Sequence, residues 1–210
     1  MVQDVDPGKG GIGPVPSRYG KVAALLHWTI AILIIVNVLI GWDFPDPLPG
    51  QRFSPKPLLP LHVSLGLLVM ILSIVRLGWR LSHRAPPMPG SMPRWERRAA
   101  HLAHLAFYGL MIGMPFTGWL VLSAHKVHKN SLSVFSVIPW PHFPGFTILP
   151  EDLVHTLHDL EVDVHALLSL WLFPAMLALH IGAVVKHHLV DKDPVLLRMM
   201  PRWIGKGRLS

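Results

Sequence analysis

A chain of 210 residues that is 51% hydrophobic and only 15% charged is too apolar for an ordinary soluble domain, where about 25% of residues are charged. Having no cysteine, it is excluded from disulfides, iron–sulfur clusters, thiolate-held metals and covalent haem attachment through C-x-x-C-H. Fourteen histidines and a net charge of +7 stand out instead, so any metal or cofactor must rely on imidazole. In chain order, residues 1–18 are rich in Gly and Pro, lack an apolar h-region, and read as a flexible tail rather than a signal peptide. Four windows then reach the ~20 predominantly apolar residues that a bilayer span needs: Val22–Gly41, Leu61–Trp79, Leu102–Leu122 and Ala166–Val185. His104 and Pro115 interrupt the third, and Pro174 and His180 the fourth, as packed membrane helices tolerate. The loops Asp43–Pro60 and Ala124–Val164, rich in Pro and Trp, read as an ordered interfacial cap with more acids than bases. Residues 191–210 read as a basic tail. The expected fold is an all-α membrane protein, a four-transmembrane-helix bundle over residues 19–190 with no separate soluble domain.

Four spans put both termini on one side. Fifteen Lys and Arg fall on that side, from Lys9, Arg18 and Lys21 through Arg76–Arg98 to Lys186–Arg208. The other side holds only Arg52, Lys56, Lys126 and Lys129. The positive-inside rule then expects cytoplasmic termini. The basic residues flank spans instead of forming a domain, so anionic headgroups, not nucleic acid, are the expected partner.

An ionisable residue inside a span is a functional-site hypothesis, and here the histidines pair by depth. His27 lies about two turns into helix 1, and His180 about two turns before the end of helix 4, both near the cytoplasmic side. His62 opens helix 2 and His165 lies near the outer end of helix 4, both on the other side. His165 and His180 are 15 residues apart, roughly 22 Å on a helix, which fits inside a hydrocarbon core of about 30 Å. Two neutral imidazoles facing each other across a bundle are what six-coordinate haem b requires, and bundle cores build cofactor sites from facing helices in this way. Two such haems form an electron path across the membrane. Fifteen residues leave an azimuthal offset of about 60°, which a kink at Pro174 or a π-bulge could absorb. Structural zinc would want four clustered ligands, and these pairs are too far apart. Arg76, about three turns into helix 2, is costly there unless paired. A haem propionate is a fitting partner, with snorkelling to headgroups as the alternative.

These residues resemble the bacterial cytochrome b561 family of four-helix di-haem membrane proteins. The resemblance runs from Tyr19 to Arg202 and is carried by LLHW at Leu25–Trp28, LHVSLG at Leu61–Gly66, VRLGWR at Val75–Arg80, AHLAHLAFYGLMIGMPFTGW at Ala100–Trp119 and ALHIGAVVKHH at Ala178–His188. DKDPVLLRMMP at Asp191–Pro201 is the most specific piece. It implies that His27 and His180 bind one haem b and His62 and His165 a second. The family's spacing in helix 4 is one residue shorter, which makes His158 and His155 rivals to His165. The first of the pair His187–His188 resembles a quinone-contacting residue. The implied location is the bacterial inner membrane. The implied function is electron transfer between the periplasmic face and the quinone pool, including superoxide oxidation coupled to ubiquinone reduction. Lys126, His128 and Lys129 offer a local basic patch for an anion, whereas the acidic outer loops suit a cationic periplasmic electron carrier. The alternative is a haem b anchor subunit that passes electrons from a periplasmic dehydrogenase, hydrogenase or c-type cytochrome to quinone. A haem-free metal transporter with histidine relay ligands is a third reading.

Overall fold

The computed structural model describes residues 18–42, 57–90, 92–124 and 132–200. Four of its helices are long and apolar enough to cross a membrane. They are α1 (Lys21–Gly41), α2 (Leu59–Ser82), α3 (Arg94–Ala124) and a 39-residue rod over Glu151–Leu189. The rod consists of α4 (Glu151–Leu167), a π-helical segment (Leu168–Leu172) and α5 (Phe173–Leu189). A short α6 (Val195–Met199) follows. Between α3 and α4 lie a two-stranded antiparallel hairpin, β1 (Ser133–Val134) and β2 (Ile138–Pro139), and a 3-10 turn (Pro144–Ile148).

The burial pattern is that of a bundle in lipid. Large apolar side chains such as Leu25, Ile32, Leu39, Trp171 and Leu179 face outward, whereas Ser64, Ser73 and Ser123 are almost wholly enclosed. Small residues at helix contacts allow close packing where the solvent is itself apolar. The core joins Ile30 and Ile34 of α1 to Val69 of α2, Tyr108, Met111 and Met114 of α3, and Phe173 of α5.

The fourth helix departs from the sequence reading. It begins at Glu151, so residues 151–164, expected as loop, are helical. Seven of these fourteen residues are acidic or His, which holds their hydropathy below that of a span. Glu151 and Asp152 in the first turn suit the positive end of the helix dipole. The rest of that expected loop folds as a cap sewn to the bundle by two of the buried serines, Ser64 and Ser123. Ser64 Oγ donates to the Pro60 carbonyl at 2.7 Å and accepts from the Phe135 N–H at 2.8 Å. Ser123 Oγ donates to the Trp119 carbonyl at 2.7 Å and accepts from the Phe143 N–H at 2.9 Å.

The segment after α5 is likewise joined to the bundle. Arg18 Nη2 donates to the Leu197 carbonyl at 2.8 Å, Trp28 Nε1 to the Met199 carbonyl at 3.1 Å, and the Tyr19 N–H to the Arg198 carbonyl at 3.2 Å. Arg198 in turn donates to the Pro87 carbonyl. Residues 191–200 thus clasp the start of α1, the α2–α3 connection and the end of α5. This is called the termini end below; the other end is the cap end.

Candidate haem sites

At the cap end, the His62 and His165 rings face each other with centroids 6.3 Å apart. The His62 Nδ1 lies 3.2 Å from the Asn37 carbonyl of α1. The His165 Nδ1 lies 3.1 Å from the Met114 carbonyl and 3.0 Å from Thr117 Oγ1 of α3. Thr117 donates its own proton to the Met114 carbonyl at 2.7 Å, so its oxygen can accept. A carbonyl can only accept, so both Nδ1 atoms carry the hydrogen and both Nε2 atoms are the basic nitrogens. A metal-ligating histidine is oriented by its other ring nitrogen in the same way.

Two glycines set the distances. A Cβ at Gly41 would sit 3.0 Å from His62 Cε1, and a Cβ at Gly118 would sit 3.0 Å from His165 Cε1. Each ring therefore lies against the bare backbone of a neighbouring helix. The pair borders a cavity of about 370 Å³, also lined by Asn37, Met114 and Phe173, within the range of about 300–1,000 Å³ usual for cofactor sites.

At the termini end, the His27 and His180 centroids are also 6.3 Å apart. Phe107 packs its ring edge-on to His180 at 5.2 Å, and Trp28 to His27 at 5.4 Å. Arg76 is close enough to act electrostatically on both histidines. Its guanidinium lies 5.7 Å from the Tyr108 ring centroid and forms no ion pair among the described residues. A second cavity of about 390 Å³ opens beside it, lined by Arg18, Tyr19, Arg76, Trp79, Arg80 and Tyr108.

Both pairs fit a haem iron. An imidazole centroid lies about 1.2 Å from its ring nitrogen, and metal–imidazole bonds are about 2.0–2.1 Å. Two imidazoles holding one iron between them would therefore have centroids up to about 6.3–6.5 Å apart, and both separations match that span. The π-helical segment lies between His165 and His180. Pro174 has no N–H to offer the Leu170 carbonyl, and a wider turn accommodates that loss. It also advances fewer degrees per residue, which reduces the 60° offset expected of a regular helix.

The remaining candidates are placed as follows. His187 joins neither pair; its Nδ1 is 2.7 Å from Asp193 Oδ2. His158 and His155 lie two and nearly three turns before His165, and His158 Nδ1 is 3.4 Å from Asp159 Oδ1. Lys126, His128 and Lys129 fall outside the described residues. The sequence reading missed Asn37, Thr117 and Gly41. Asn37 meets His62 through its backbone carbonyl, which its side chain does not announce.

The model of the family described as prokaryotic cytochrome b561 matches residues 18–202. Cytochrome b561 homolog 2 of Escherichia coli (strain K12) is 30% identical over 192 residues, covering 88% of this chain and 92% of the relative. Cytochrome b561 homolog 1 of the same strain is 29% identical, covering 89% and 98%. A probable superoxide oxidase, CybB, of Yersinia pestis is 28% identical, covering 90% and 98%. With four membrane-length helices and a family match over nearly its whole length, the chain belongs to the prokaryotic cytochrome b561 family of haem b-binding membrane electron-transfer proteins.

Proposed function

We propose that this protein is a di-haem b cytochrome that carries electrons across the bacterial inner membrane, from the periplasmic face to the quinone pool. His27 and His180 hold one haem, His62 and His165 the other, and Arg76 meets a propionate. His187 contacts the quinone, and both termini are cytoplasmic. The observation that carries this reading is the recurrence of one 6.3 Å histidine separation at both ends of the bundle. Bound haem b supplies one-electron redox chemistry. The chain supplies two pairs of facing imidazoles, those of the cap end oriented by the acceptors at their Nδ1 atoms, an apolar sheath that excludes water, and a cation for a carboxylate.

Superoxide is the donor we favour, because a relative with similar coverage is named a probable superoxide oxidase. Two superoxide ions each lose one electron and leave as O2. The two electrons and two protons convert ubiquinone to ubiquinol. The test starts with a reduced-minus-oxidised spectrum and pyridine haemochrome quantitation of the purified protein. About two b-type haems per chain are expected, and His27→Leu should remove one and leave the other's spectrum intact. Retention of both in that variant would overturn the assignment. Superoxide-driven ubiquinol formation then tests the activity.

A second reading, a haem b anchor fed by a periplasmic partner subunit, has one observation in its favour. The cap presents the exposed apolar residues Val137, Ile138 and Ile148. Co-purification of a redox subunit from native membranes, lost when Val137 and Ile148 are replaced by Ser, would favour it.

A further inference from the structure

His187 lies seven residues beyond His180 on the regular helix α5. Seven residues are nearly two full turns, so both side chains leave one face of the helix, with roughly 10 Å of rise between them. Beyond the helix the chain turns back through Lys192, whose φ of 53° is left-handed. That turn brings Asp191 and Asp193 to the same ring. The His187 Nδ1 is 2.7 Å from Asp193 Oδ2 and 3.0 Å from Asp191 Oδ2. The His187 side chain is 13% exposed, Asp193 9% and Asp191 30%. Asp193 is itself fixed twice. Its Oδ1 accepts the Val195 N–H at 3.0 Å, capping α6, and its N–H donates to the His187 carbonyl at 3.0 Å. The other charged groups here are Lys186, whose Nζ reaches Asp191 Oδ2 at 2.7 Å, and Glu96 of α3, which Lys186 also meets at 2.8 Å.

A carboxylate only accepts, so Nδ1 donates and proton exchange is left to Nε2. The Nδ1–H held by the carboxylates fixes the ring's orientation, as a carboxylate does behind a general-base histidine. We propose that Asp193 and Asp191 position His187 as the proton donor for quinone reduction at the termini end, an inference that rests on the quinone reading above. Electrons reach the acceptor from the His180 side. As each arrives, a quinone oxygen becomes basic. An O–H bond forms as the Nε2–H bond of the His187 imidazolium breaks, Nδ1 keeps its hydrogen on the carboxylates, and Nε2 is reprotonated from water before the second transfer. Two electrons and two protons complete the quinol.

The test uses the full-length haem-loaded protein, reduced anaerobically and mixed with a short-tailed ubiquinone, with haem reoxidation followed across pH. Asp193→Asn should keep both haem spectra and slow quinol formation at least tenfold at pH 7.5. Its rate should begin to fall with rising pH at least one unit earlier than in the parent, because the donor ring has lost the carboxylate that faces its Nδ1. The deficit should shrink at low pH, where protons are plentiful for either protein. Asp193→Glu should restore most of the rate. A merely structural role would slow the reaction equally at every pH, and that result, or a parental rate and profile, overturns the proposal. Should Asp193→Asn fail to fold, Asp193→Ser retains a capping oxygen without the carboxylate and must show the same shift. If the parent's reduced haems are not reoxidised by quinone at all, the quinone reading fails and takes this relay with it. Quinone reduction by a parent that the variants match overturns only the relay.

Discussion

Gly118 determines how closely the His165 ring approaches α3. Ordinary van der Waals contact needs more room than the 3.0 Å that a Cβ would have there, so the ring must move if one is added. Gly118→Val is expected to lose or perturb the cap-end haem while the other keeps its spectrum, as a redox titration of the two b-type bands would show. Thr117→Val removes one of two acceptors for the His165 Nδ1 and leaves the Met114 carbonyl. Loss of an outer-shell partner costs about 10–100-fold in affinity, and the surviving carbonyl places this variant at the low end of that range. Competition for haem by an apo-haem acceptor would measure it. The histidines themselves were legible in the sequence, because imidazole is rare and costly within apolar runs. Their supports were not. The orienting acceptors at Asn37 and Met114 are backbone carbonyls, which every residue has, and Gly41 looks like any small residue at a helix contact.

Among elements, the π-helical segment and the cap carry separate predictions. Inserting one residue into Leu168–Leu172 would turn His165 by about 100° relative to His180. The expected result is a chain that still inserts but keeps at most one haem, read by haem quantitation and circular dichroism together. Ser64→Ala leaves the Phe135 N–H without its acceptor, at a cost of ~1–3 kcal/mol if that group stays buried. Hydrogen exchange at the hairpin should quicken accordingly, with the haem spectra unchanged. Four spans could be read from hydropathy because α1, α2 and most of α3 are continuously apolar. About the first four turns of α4 could not. Their acidic residues mimic a loop in any hydropathy window, although Glu151 and Asp152 were themselves signals of a helix start.

For the molecule as a whole, the clasp at the termini end is the feature the sequence reading left detached. Residues 191–210 read as a basic tail, yet residues 191–199 bond to α1, to the α2–α3 connection and to α5. Most of these bonds use the carbonyls of Leu197, Arg198 and Met199, so side-chain chemistry gave little warning. Truncation after Val190 should therefore lower thermal stability in detergent and, if each histidine pair holds a haem as proposed, loosen haem at His27 and His180 while haem at the cap end stays bound. Thermal release of each haem, followed by its own band, checks the asymmetry.

The clasp also bears on the timing of biosynthesis. Each histidine pair takes its second member from the last long helix, about 100 residues after His62 and about 150 after His27. At the usual ~5–20 residues per second of translation, His27 waits about 8–30 s for His180 to be made. The segment that fastens the two ends together emerges later still. Nascent chains caught before α4 would carry half-sites only, so capture of haem by the proposed pairs would not precede the synthesis of α4.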